Sequence, residues 1–177
     1  MAGIDVLIQK GRVVDGTGNP WFYADVAIAG EKIVEVAPSA ALKAEDAAEV
    51  VDARGLVVCP GFIDIQSHSI IPLMVDGNCL SKITQGVTTE IMGEAWTPTP
   101  FGGRIEKPFG EGLYGARLCE WVERAQGWRR FGDWLEAMVD SGVSPNIGSF
   151  LGAGTLREYA MGLELRAPTV DELETMR

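Results

Sequence analysis

The chain has 177 residues, 46% apolar and 23% charged, and its 15 Lys and Arg against 25 Asp and Glu leave a formal net charge of −10. Such a composition excludes a disordered chain, and the longest apolar runs, such as residues 70–75, fall far short of the ~20 that span a bilayer. The acidic balance, without any basic cluster, argues against nucleic acid as a partner.

The first ten residues carry Asp5 inside an apolar stretch and no basic leader, so no secretory signal is read. Residues 6–8 and 12–14 flank Lys10-Gly11 as short strands, and 15–20 supply turn chemistry. Residues 25–29 and 32–36 alternate around Gly30-Glu31 as a hairpin, while 49–52 and 56–58 bracket a turn at Arg54-Gly55. Five or six short strands at this spacing predict a small β-sandwich part over 1–58, with the Ala-rich stretch 38–48 as a surface excursion. Cys59, Cys79 and Cys119 form no CxxC and are odd in number, which points to a reducing, cytoplasmic setting for a soluble protein.

After Pro60-Gly61 the pattern changes. Residues 62–66 form a compact apolar strand, 81–85 end a helix that Gly86 stops, and 87–92 make a second strand. Residues 93–116, with six glycines and three prolines, are too long for a plain connector. Helices are expected over 117–126 and 131–141, with Gly142 as a C-cap, then a third strand over 146–151. Thr155–Glu158 and Thr169–Glu172 each fit the capping box that opens a helix. Strand and helix thus alternate as in a parallel α/β array. Because a complete (β/α)8 barrel takes ~250 residues, 59–177 reads as its truncated opening, the alternative being a self-sufficient three-strand domain. The fold class is α/β: a small sandwich part followed by the first strands and helices of a TIM-type barrel.

Alternation along 62–68 places Asp64, Gln66 and His68 on one face, toward the strand end where barrels carry their active sites. His68 is the chain's single histidine, so it serves either as a ligand or as a hydrogen-bonded structural residue. Glu90, inside a strand, reads as a buried structural carboxylate, and Trp121, Trp128 and Trp134 read as helix packing. The loop 93–116 carries Trp96, Phe101, Arg104, Phe109 and Tyr114 and lies where substrate-covering loops lie. Arg104 is either a partner for a substrate carboxylate or a solvated arginine. No GxxxxGK[ST] occurs, so nucleotide binding has no support.

The stretches Asp5-Val6-Leu7-Ile8, Gly11-Arg12-Val13-Val14-Asp15-Gly16-Thr17-Gly18 and Cys59-Pro60-Gly61-Phe62-Ile63-Asp64 resemble the opening of the amidohydrolase superfamily. Gln85-Gly86-Val87-Thr88-Thr89-Glu90, Gly152-Ala153-Gly154-Thr155-Leu156-Arg157 and Met161-Gly162 narrow the resemblance to its N-acyl-D-amino-acid deacylase (D-aminoacylase) branch, over the N-terminal part of such an enzyme. The resemblance implies a zinc or other divalent-metal hydrolase of N-acyl amides, with an N-acyl amino acid as substrate. It also implies a general base and further histidine ligands beyond Arg177, so that a separate chain of this length is inactive and lacks the C-terminal part of its barrel as partner. His68 matches the second member of the branch's His-x-His metal pair, and Gln66 stands at the first. Ala95 stands where the branch places a cysteine, and Ala153 where it often places a histidine. Glu94, one position before Ala95, either substitutes as a carboxylate ligand or caps the next helix. The substitutions leave two other readings open: a metal-free binding protein of the same fold, and a cyclic-amide hydrolase of the superfamily.

Overall fold

The computed structural model describes residues 3–109 and 115–177, so Tyr114 of the predicted covering loop lies outside the described residues. The chain divides into two compact units, Met1–Pro60 and Gly61–Arg177.

The first unit is one five-stranded mixed sheet. β1 (Ile4–Val13) pairs antiparallel with β2 (Phe22–Ala29), which pairs antiparallel with β3 (Lys32–Pro38) across the Gly30 turn. On the other side of β1 lie β4 (Ala47–Asp52) and β5 (Val57–Val58), both parallel to it. A sandwich needs a second facing sheet, whereas the described residues of this unit form a single sheet. The two strands predicted around Lys10 are a single strand interrupted by a bulge. The register shifts between Ile8 and Gly11, and Lys10 adopts φ 63°. The buried Asp25 carboxylate holds this extra residue by accepting from the Lys10 amide at 3.0 Å. The bulge brings Ile8 and Val13, five positions apart, into one apolar cluster with Ala24, Val26 and Val58. Gly11 is required beside it, because a Cβ there would sit 2.5 Å from the Val58 side chain.

In the second unit, β6 (Phe62–Asp64), β7 (Val87–Met92) and β8 (Asn146–Ser149) form a parallel sheet in the order β6-β7-β8. Between β6 and β7 lie α1 (Ile70–Val75) and α2 (Leu80–Ile83), and before β8 come α3 (Cys119–Ala125) and α4 (Phe131–Ser141). After β8 follow α5 (Ala153–Met161) and α6 (Val170–Thr175). The apolar run 70–75, unassigned from its pattern, is helical because Pro72 falls in the first turn, where no amide bond is forfeited. Its core gathers Leu73, Met74, Met92, Trp121, Trp134 and Met138. The three tryptophans are packing residues, as their spacing predicts. Trp121 donates its indole N–H to the Met74 carbonyl at 2.5 Å, and its ring lies 6.2 Å from that of Trp128.

Two sequence expectations need correction. The strand predicted over 62–66 ends at Asp64, and its apolar residues are exposed: 58% for Phe62 and 73% for Ile65. The capping box predicted at Thr155 does not form, because α5 opens at Gly152 and Thr155 is buried within the first turn. Its hydroxyl is engaged elsewhere, donating to the Thr97 carbonyl and accepting from the Thr97 amide, both at 2.8 Å. The box at Thr169 does form, with Thr169 and Glu172 exchanging side chain-to-backbone bonds of 3.2 and 2.8 Å.

Candidate active-site mouth

Because β6, β7 and β8 are parallel, their C-terminal ends share one border, and the segments leaving them meet there. Ser67 donates its amide to the Ile91 carbonyl at 3.0 Å, and Phe150 donates to the Met92 carbonyl at 2.8 Å. Gly93, at φ 81°, has no room for a Cβ against the Phe150 carbonyl and the Ser149 hydroxyl, so the β7 and β8 exits run backbone to backbone.

Three sequence-predicted residues come together at this border. Gln66 donates its amide N–H to a Glu94 carboxylate oxygen at 2.7 Å. His68 and Glu94 line the same small cavity of about 130 Å³, alongside Ala95, Trp96, Ile70 and Ile71. Glu94 thus bonds to Gln66 across the mouth. Arg104 lies apart from that cavity. It lines a larger one of about 750 Å³ with Met161, Leu163 and Glu164, and it is half-exposed and ion-paired to Glu164 at 2.6 Å and Glu172 at 3.7 Å.

Below the mouth sits a polar network of which sequence reading singles out only Asp64 and Glu90. Glu90 is fully buried. Its carboxylate accepts from the Ser67 hydroxyl and from the Cys79 thiol at 3.1 Å, with the Lys82 ammonium 3.8 Å away. Burial pushes the Glu90 carboxyl up, but the Ser67, Ser69 and Cys79 bonds and the Lys82 charge outweigh it and leave the group below its ordinary range. The Cys79 thiol is pushed up to about 11, first by burial and then by the Glu90 bond and charge. Lys82 also bonds Asp64 at 2.5 Å, which lowers the Asp64 carboxyl and raises the lysine. A signal for this cluster was present: Asp64 and Glu90 stand opposite each other on adjacent parallel strands, and two such carboxylates call for a cation between them.

A zinc site takes three or more His, Cys or carboxylate ligands, and no group of three such residues suited to a metal occurs among the described residues. His68 and Glu94 offer two donors of the right kinds, while the Gln66 amide nitrogen already occupies a Glu94 oxygen. These residues alone do not make a metal centre.

No protein-family model matches the chain. The N-acyl-D-aspartate deacylase of Alcaligenes xylosoxydans xylosoxydans is 31% identical over 176 residues, covering 99% of this chain and 34% of that protein. The D-aminoacylase of the same organism is 31% identical over 175 residues, covering 98% and 34%. A D-aminoacylase crystal structure superposes with a TM-score of 0.78 at 32% identity, covering 97% of this chain and 34% of that one. A structure bearing on the binuclear metal centre of D-aminoacylase gives the same values. The N-acyl-D-glutamate deacylase of Bordetella bronchiseptica, complexed with zinc and a phosphonate inhibitor, shares the fold at a TM-score of 0.74 and 24% identity. The chain spans about a third of the length of the relatives it matches. It is D-aminoacylase-like, corresponding to an N-terminal portion of amidohydrolases of that kind.

Proposed function

We propose that this chain is the N-terminal portion of a cytoplasmic, metal-dependent amidohydrolase that cleaves N-acyl amides, with N-acyl-D-amino acids as the substrate class. In this reading residues 1–58 belong to a β-sandwich part, and 59–177 open a (β/α)8 barrel. The observation that carries it is the convergence of Gln66, His68 and Glu94 at the C-terminal border of a parallel sheet, beside a cavity. That border is where barrel enzymes place their chemistry. Support comes from the match of almost the whole chain to D-aminoacylases.

A divalent ion, held by His68 and Glu94 together with ligands from the rest of the barrel, would supply an activated water and polarisation of the scissile carbonyl. This chain's share is to present the His68 imidazole and the Glu94 carboxylate to the cavity, with Gln66 holding Glu94 by its amide. The remaining ligands and the general base belong to the rest of the barrel, so the 177-residue chain alone is expected to leave N-acyl-D-amino acids intact. The test uses the full-length protein after exhaustive dialysis. Stoichiometric zinc and release of free D-amino acid from N-acetyl-D-amino acids are expected, with the L-enantiomers turned over at least tenfold more slowly. Absence of metal together with absence of hydrolysis would sink the proposal.

One observation favours a second reading, a metal-free binding protein. The Gln66–Glu94 bond gives the carboxylate a neutral partner, and the side chains of Ala95 and Ala153 bring no donor to the border. The same dialysis experiment separates the two.

A further inference from the structure

We infer that Glu90 is a positioning residue for the mouth: through Ser67 and Lys82 it fixes the turn at 65–69 and so sets where Gln66 and His68 project. The inference rests on the mouth being the working site.

Regular strand alternation cannot set their direction, because β6 ends at Asp64 and the chain turns immediately after it. The turn is held instead by side chains beneath it. Ser67 and Ser69, on either side of His68, are each only 6% exposed, whereas His68 itself is exposed. The Ser67 hydroxyl donates to Glu90, its oxygen accepts the Ser69 amide at 3.2 Å, and the two serine hydroxyls lie 2.8 Å apart. The other arm runs through Lys82 to Asp64, whose carboxylate accepts the Gln66 amide at 3.1 Å. The backbone on both sides of His68 and the amide of Gln66 are thus tied to one carboxylate on the neighbouring strand. A fully buried carboxylate is costly to desolvate, and an apolar side chain of similar volume is commonly no less stable. Glu90 supplies what such a side chain cannot: an acceptor that gathers donors from the turn and from the start of α2.

Hydrogen exchange followed by mass spectrometry on the 177-residue chain, without metal or substrate, tests this. Glu90→Leu and Ser67→Ala are each expected to speed exchange of the 65–69 amides at least tenfold, with 131–141 in α4 unchanged. The double variant should be no faster than Glu90→Leu alone, because Ser67 acts through Glu90, and Ser67→Thr, which keeps the hydroxyl, should exchange as the native chain does. Unaltered exchange at 65–69, equal loss of protection in α4, or additive effects in the double variant would overturn the inference. If Glu90→Leu does not fold, the contrast between Ser67→Ala and Ser67→Thr decides it. A full-length protein that proves metal-free and inactive refutes the hydrolase reading and leaves the exchange result standing.

Discussion

Trp134 shows how a single buried residue divides its cost between packing and polarity. It is fully buried at the centre of the α-helical core, and its indole N–H has no hydrogen-bond partner among the described residues. An unmet donor is expensive, so the ring's contribution is apolar contact, including a ring neighbour in Phe131 at 6.1 Å. Trp134→Ala is expected to destabilise by about 3–5 kcal/mol through the cavity it leaves. Trp134→Phe, which loses volume but removes the orphaned donor, should cost less than half of that. Urea unfolding midpoints of the two variants check the difference. The position of Trp134 was legible from helical spacing alone; the missing partner was not, since hydrogen bonding depends on which carbonyls tertiary packing brings near. The same holds for Glu90, readable as buried, whose donors come from two separate stretches of chain, the turn at 67–69 and the start of α2.

At the scale of elements, local signals succeeded where the local chain decides. The hairpin at Gly30, the strand over 87–92 and the helix over 131–141 are all present, because turn chemistry and periodicity act within a few residues. The signal at Thr155 misled because a threonine hydroxyl can serve a helix end or a neighbouring loop, and here Thr97 takes it. At α6 the local signal holds, and Glu172 makes it dependent on acidity. Paired bonds from Arg166 come first, then the Thr169 amide, and together they lower this carboxyl to about 2. A carboxyl held below its unfolded value stabilises above that value and stops doing so as the pH falls through the folded one. The contribution at α6 is therefore complete above roughly pH 4.5 and fades toward pH 2. Carboxyl-carbon NMR titration should locate Glu172 near that low value, and Arg166→Ala should return it toward the ordinary range.

For the molecule as a whole, the three-stranded sheet leaves β6 and β8 as borders. Phe62, Ile63 and Ile65 are exposed at and just after β6, Phe150 just after β8, and Leu163, Leu165 and Val170 farther along the chain. Open strand borders and apolar surface of this kind recruit other chains. Sedimentation velocity on the 177-residue chain is expected to show concentration-dependent association, which Ile65→Lys should reduce; a monomer at all concentrations would contradict this. The alternation of strands and helices over 87–149 was legible in the sequence. The meeting of Gln66 with Glu94 was not, because it needs the pairing of β6 with β7 and the turn that follows Asp64.

The bulge at Lys10 carries a consequence for how this part of the protein tolerates changes in length. It adds one residue between Ile8 and Gly11, so the two halves of β1 are out of step by a single position, and both still feed the same apolar layer. Removing Lys10, and the bulge with it, would leave Val13 four positions after Ile8, so regular alternation would keep both in that layer. Loss of two residues would leave them three apart and turn Val13 out of it. Homologous chains should therefore differ in length here by the single bulged residue, with the acid at Asp25 persisting only where that residue does.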